Sequence, residues 1–283
     1  MKRVHAAFLA AVLLSFAPCW LAGAVDRFPP PDFQSGHVQP AMSQPSPSAG
    51  WLETLDMAAL AAALAAAVWI SLRLRSRPAM LALSVVSLAY FGFWRRGCVC
   101  PIGSIQNFSL AIADPSFALP AVVVFYFAAP LVFALFFGRV FCAGVCPLGA
   151  IQEVVLLRPV KVPRWIAGAL EMVPFFHLGL AVAVSAASGV FLTCRFDPFV
   201  GFFRLSGPAH MLIAGGLLLV ISTFVARPYC RFLCPYGALL NLCSRAAWRR
   251  VTITPDKCVV CALCRDACPS DAIESANASE GTR

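Results

Sequence analysis

Charge is what this sequence lacks. Only 12% of its 283 residues are Asp, Glu, Lys or Arg, and just 13 are acidic, where a soluble domain carries about 25% charged residues. So few charges cannot cover the core that a chain this long would bury. That excludes an ordinary water-soluble enzyme and leaves a multi-span membrane protein as the expectation. The 22 Lys and Arg give a net charge of +9, but they fall in short clusters between apolar runs. No basic face is present, so nucleic acid is not an expected partner. No kinase or DNA-binding segment is recognisable either, which argues against a signalling sensor.

What is present is 60% hydrophobic sequence and 13 cysteines. Residues 1–24 read as a signal peptide: Lys2 and Arg3, then the apolar stretch Ala6 to Pro18, then Ala22-Gly23-Ala24 as the cleavage site. Pro18 before Cys19 disfavours lipoprotein processing. Residues 25–50, rich in Pro and Ser, read as an extended periplasmic linker. Apolar runs at 53–72, 78–94, 119–137, 166–190 and 208–226 are each long enough, the second only just, for the roughly 30 Å hydrocarbon core. With residue 50 outside, 15 of the basic residues lie inside, 5 outside (Arg27, Arg95, Arg96, Arg195, Arg204) and 2 in the signal. The positive-inside rule therefore agrees with the signal and places the C-terminus in the cytoplasm of a bacterial inner membrane protein. The expected fold is an all-α integral membrane bundle of about five spans (51–250), with a small ferredoxin-like iron–sulfur segment at 251–283.

A short pattern recurs between the spans. It reads C-V-C-P-I-G-S-I-Q-N from Cys98, C-A-G-V-C-P-L-G-A-I-Q-E from Cys142 and C-R-F-L-C-P-Y-G-A-L-L-N from Cys230. A decayed fourth copy, C-R-F-D-P-F-V-G from Cys194, has Asp197 where a cysteine would precede the proline. Such regular recurrence marks a repetitive membrane domain. In each copy the proline can start a helix, the following glycine permits close backbone approach, and the thiols sit near the positive helix end. That arrangement favours an anionic, thiolate-bound centre.

The tail motif C-V-V-C-A-L-C-R-D-A-C-P, with Cys258, Cys261, Cys264 and Cys268, has the bacterial ferredoxin spacing for a [4Fe–4S] cluster. Zinc is the rival ligand, and it fits four such closely spaced cysteines ending in Cys-Pro poorly. In two-cluster ferredoxins the fourth cysteine of this run serves the other cluster. The tail has no second tetrad, and the topology leaves Cys142, Cys146, Cys230, Cys234 and the motif-free Cys243 on the same face. Two [4Fe–4S] clusters, assembled jointly by the tail and the loop cysteines Cys142, Cys146, Cys230 and Cys234, are therefore expected. The alternative is one cluster and unmetallated loop thiols. On the opposite face, Cys98, Cys100 and Cys194 suit either a disulfide or a metal or redox relay. Glu171 and His177 lie in the fourth apolar run and are candidates for quinol or proton chemistry by location alone. Glu171 also suits an interfacial position, and His177 a plain helix–helix hydrogen bond.

The segments G-R-V-F-C-A-G-V-C-P-L-G-A-I-Q and R-P-Y-C-R-F-L-C-P-Y-G-A-L-L, with the ferredoxin tail, resemble the NosR/NapH-type polyferredoxins, a family that includes the MauN proteins. The resemblance covers about residues 85–275. It implies membrane helices carrying cytoplasmic [4Fe–4S] clusters, and electron transfer from a quinol or small cytoplasmic donor to a periplasmic flavoprotein, reductase or dehydrogenase. Two features depart from the family pattern. NosR-like members carry a periplasmic flavin-binding domain where this chain has the 25–50 linker, and NapH-like members have two tail tetrads where this chain has one. The competing expectation is a maturation factor that reduces or delivers copper to a periplasmic metalloenzyme. In both readings the protein is a component rather than a stand-alone catalyst, and no catalytic residue is assigned.

Overall fold

A computed structural model describes residues 50–97, 101–114, 117, 119–157, 159–204, 209–249, 261, 263–266 and 268. The signal peptide, nearly all of the 25–50 linker, Cys98, Cys100, Cys258 and most of the 251–283 segment lie outside the described residues. Within those residues all regular structure is helical and no strand occurs. The first helix, α1, runs Gly50–Leu74, and α2 runs Arg77–Trp94. Arg75 breaks the chain between them in the left-handed region, φ 47°. Ser76 then caps α2 by accepting the Ala79 N–H at 3.4 Å, with a proline in the first turn, as N-cap chemistry requires.

The chain continues through α3 (Pro101–Ala113) and α4 (Ala121–Phe137). Gly138, φ 73°, ends α4, and the short pair α5 (Val140–Gly144) and α6 (Pro147–Val154) follows. Next come α7 (Arg164–Leu170) and α8 (Val173–Ser188), then a second short pair, α9 (Leu192–Phe196) and α10 (Pro198–Arg204). After α11 (Ala209–Ser222), a third pair, α12 (Pro228–Phe232) and α13 (Pro235–Arg245), closes the bundle. A single turn, α14, spans Leu263–Asp266.

All five apolar runs are helical. Three described helices are long and apolar enough to cross a membrane: Gly50–Leu74, Arg77–Trp94 and Trp165–Ser188. A fourth is counted if the bent pair α10 and α11 forms one span, and α4 is a shorter apolar helix. Large apolar side chains such as Trp94, Trp165, Phe176, Ile213 and Leu217 point outward, as lipid-facing positions do. The core gathers Leu60, Leu64, Ile102, Phe141, Val145, Phe199, Tyr229 and Tyr236.

The Cys-Pro motifs differ in form from simple loops. The copies from Cys142, Cys194 and Cys230 each fold as a short helix, a corner of one or two residues and a second helix begun by the proline. The corner residues Cys146, Asp197 and Cys234 have nearly the same backbone: φ −68°, −69° and −69°, ψ 117°, 114° and 114°. Proline disfavours helical backbone at the residue before it, so each corner turns extended and the next helix starts at once. The decayed copy has lost its second cysteine but kept the corner.

Candidate metal centre

The corners place thiols at helix N-termini. Cys234 Sγ accepts the Gly237 N–H at 3.3 Å, and Cys146 receives the backbone N–H groups of Gly149 and Leu148. These are donors that a helix start leaves unpaired. The glycines two residues after each proline are needed for packing. A Cβ at Gly149 would lie 3.1 Å from the Cys142 carbonyl oxygen, and one at Gly237 3.1 Å from that of Cys230. The two hairpins thus repeat the same contact, each folding back on its own first cysteine.

The structure brings Cys142, Cys146, Cys230 and Cys234 together. Cys146 and Cys230 hydrogen-bond to each other, and charge on Cys146 is felt at Cys142 and Cys234. Burial, reinforced by Cys146, pushes the Cys142 thiol up to about 12. Cys230 is raised, first by its bond to Cys146 and then by burial, and Cys234 by burial first. Cys146 alone is lowered, because the Cys230 thiol donates to it. The four thiols are electrostatically linked, with Cys146 and Cys234 buried and Cys142 and Cys230 half-buried. Without metal the quartet carries far less than four negative charges, and a polycation would displace the remaining protons.

Polar side chains surround the thiols, each with hydrogen-bond partners. Gln152, fully buried, donates from Nε2 to Cys230 Sγ at 3.4 Å and to the Leu148 carbonyl at 2.7 Å. Its Oε1 accepts the Tyr229 N–H at 3.0 Å. Arg227 donates to Glu153 at 2.7 Å and to the carbonyls of Cys142 and Ala143. His177 is 2.8 Å from the Leu233 carbonyl through Nδ1, which fixes the residue before Cys234. The helix-to-loop hydrogen bond is therefore its observed role. Glu171 is exposed at the break between α7 and α8.

The Cys194 copy repeats part of this pattern. Cys194 carries a free thiol that donates to Gln106 Oε1 at 3.2 Å, and the Gly103 Cβ position lies 3.5 Å from its sulfur. Gln106 and Gln152 both stand five residues after their prolines and both reach the first cysteine of another copy. Asp197, buried, accepts the Phe199 N–H at 2.9 Å and the Tyr229 hydroxyl at 3.1 Å. Tyr229 thus joins the Cys194 copy to the residue before Cys230. Sequence reasoning missed both glutamines and the Asp197–Tyr229 bond. The recurrence of I-Q after two of the Cys-Pro motifs was the signal available. In the tail, Cys261 and Cys264 are exposed, and Cys243 stands apart from the quartet's hydrogen bonds.

Among the described residues no group of three or more His, Cys, Asp or Glu side chains is arranged around a single metal ion. Four cysteine sulfurs that interact with one another across two hairpins are the ligand type that an iron–sulfur centre takes.

Comparison with known proteins agrees. A 4Fe-4S binding domain matches residues 76–113, 119–164 and 208–253, each segment holding one full Cys-Pro copy, and a second 4Fe-4S binding domain matches 251–274. The chain is a helical iron–sulfur protein of ferredoxin type. YccM of Escherichia coli, whose name assigns it to electron transport, is 27% identical over 60% of this chain and 52% of its own length. The regulatory protein NosR of Pseudomonas aeruginosa is 29% identical over 61% of this chain and 26% of its own. The methylamine utilization ferredoxin-type protein MauN of Methylobacillus flagellatus is 27% identical over 48% and 50%. With these relatives and domains, the chain resembles the NosR/NapH-type, ferredoxin-like proteins. It spans about half the length of YccM and MauN and about a quarter of NosR. No solved structure matches the chain.

Proposed function

We propose that this protein is a multi-pass inner-membrane electron-transfer protein. It accepts electrons from a quinol or small cytoplasmic donor and delivers them toward a periplasmic redox partner. The observation that carries this reading is the convergence of Cys142, Cys146, Cys230 and Cys234 from two separate hairpins into one group. A [4Fe–4S] cluster bound there supplies one-electron storage and transfer. The residues provide the rest: thiolates at helix N-termini, amide donors from Gly149 and Gly237, and packing that buries Cys146 and Cys234 and half-buries Cys142 and Cys230. The names of MauN, a ferredoxin-type protein, and YccM, an electron transport protein, support redox work. The crossing arrangement expected from the ferredoxin spacing would bring tail thiols to the quartet. The four loop thiols act on one another, and we assign one cluster to them and a second to Cys258, Cys261, Cys264 and Cys268, with the crossed assignment as the alternative.

Protein purified anaerobically is expected to hold about eight iron and eight sulfide per chain, with a reduced-state EPR signal of [4Fe–4S] type. Zinc or copper in place of iron would overturn the reading, and copper would favour the maturation role. The five-span topology is proposed with the cytoplasmic C-terminus supported by the basic-residue distribution. After a reductant, a membrane-impermeant thiol reagent on intact cells should label Cys98 and spare Cys243. The reverse pattern would invert the protein in the membrane.

A further inference from the structure

We infer that Gln152 is a positioning residue that sets the reduction potential of the centre held by the thiol quartet; the inference rests on the iron–sulfur reading above. Gln152 has three hydrogen bonds and no exposure. Its Oε1 takes the Tyr229 N–H, while its Nε2 is shared between the Leu148 carbonyl and Cys230 Sγ. A buried glutamine at the end of a helical turn has a cheaper way to satisfy its amide, namely the carbonyl one turn back. Here that bond exists, and the second N–H is still directed at sulfur. The side chain therefore does two separable things. Its oxygen ties the α6 hairpin to the start of the α12 hairpin, and its nitrogen brings a positive dipole to one thiolate of the four.

An N–H donor to a cluster thiolate stabilises the electron-rich, reduced state more than the oxidised one. Such hydrogen bonds are among the levers that set iron–sulfur potentials. Of the donors near the quartet, the Gly149 and Gly237 amides are backbone and common to both hairpins, and Leu148 adds a second backbone amide at Cys146. The side-chain donor breaks that symmetry. In the α13 hairpin Leu240 stands where Gln152 stands in α6, five residues after the proline, so Cys142 and Cys146 have no counterpart from α13. Cys230 is the thiol singled out. Gln106 repeats the same position relative to Pro101 but reaches Cys194, outside the quartet, and so supplies a matched control.

The test uses the full chain with Cys258, Cys261, Cys264 and Cys268 replaced by Ala, so that only the quartet can hold iron. This background should retain about four iron; if it holds none, the quartet does not hold a cluster by itself, whatever Gln152 does. On it, Gln152→Glu keeps an oxygen for the Tyr229 N–H and loses the donor to sulfur, and Gln152→Met loses both without adding charge. Both variants are expected to keep their iron and to titrate, by EPR-monitored potentiometry, at a more negative potential than the parent, Glu further than Met. Gln106→Met should titrate with the parent. An unchanged potential in both Gln152 variants, or an equal shift in Gln106→Met, would overturn the proposal. So would loss of iron from both Gln152 variants, because the side chain would then be a prop for the fold.

Discussion

Replacing Cys234 with Ala in the intact chain is expected to remove one whole cluster. Iron should fall from about eight to about four per chain, and the tail's signal should persist. Cys234 is buried at the corner of the α12–α13 hairpin and faces Cys142 and Cys146 from the other hairpin. Three thiols without the fourth leave one iron of a cubane open in a buried site. Cys146→Ala should do the same, because the two corners are equivalent. Cys243→Ala should leave the iron count unchanged, since this half-buried residue lies two turns along α13 and belongs to no motif. Iron analysis with EPR on anaerobic samples decides it. Full iron in both corner variants would leave the tail as the sole binding site.

Asp56→Ala is expected to be the most damaging single change outside the thiol sites. Asp56 is 2% exposed and takes both Arg95, at 2.5 Å, and the Tyr90 hydroxyl, at 3.0 Å. Removing one partner of a buried pair costs about 3–5 kcal/mol, because the other charge is left behind. Arg95 retains 20% side-chain exposure, which moves the expectation to the lower end. Tyr90→Phe should cost only about 1 kcal/mol, a single hydrogen bond. Thermal unfolding in detergent measures both. Asp56→Leu combined with Arg95→Leu should recover most of the loss, since the double change strands no charge.

These two sites differ in how far the sequence disclosed them. The apolar runs at 53–72, 78–94, 119–137, 166–190 and 208–226 all became helices, because length and hydropathy suffice to specify a helix in that setting. The Cys-Pro turns were legible as helix starts with close-approach glycines, and Gly149 and Gly237 make that approach. Their hairpin form was not, because the five residues Val140–Gly144 and Pro228–Phe232 are too short to carry a periodicity of their own. Pairing of the two hairpins was anticipated only by counting thiols. Asp56 was hidden by averaging, since one acid inside an apolar run scarcely lowers its hydropathy; a charge within a span should by itself have prompted a search for its partner. Gln106 and Gln152 looked like ordinary polar residues, and Asp197 like a cysteine lost from a decayed copy. Their meaning depends on what faces them from 32 to 88 positions away in the chain.

The quartet draws its members from hairpins far apart in the chain, with Cys142 and Cys146 in one and Cys230 and Cys234 in the other. During synthesis the first pair emerges well before the second, with α7 to α11 still to be made. Throughout that interval Cys142 and Cys146 form half of a soft-metal site without its complement. For the proposed centre, maturation would be ordered by translation, since the full thiol set exists only after residue 234 has entered the bundle and packed. A metal held there would cross-link the two hairpins and close a long loop, an entropic constraint on the unfolded chain. Chains truncated between the hairpins would be the ones open to mis-metallation, which makes this interval the natural point for quality control to act.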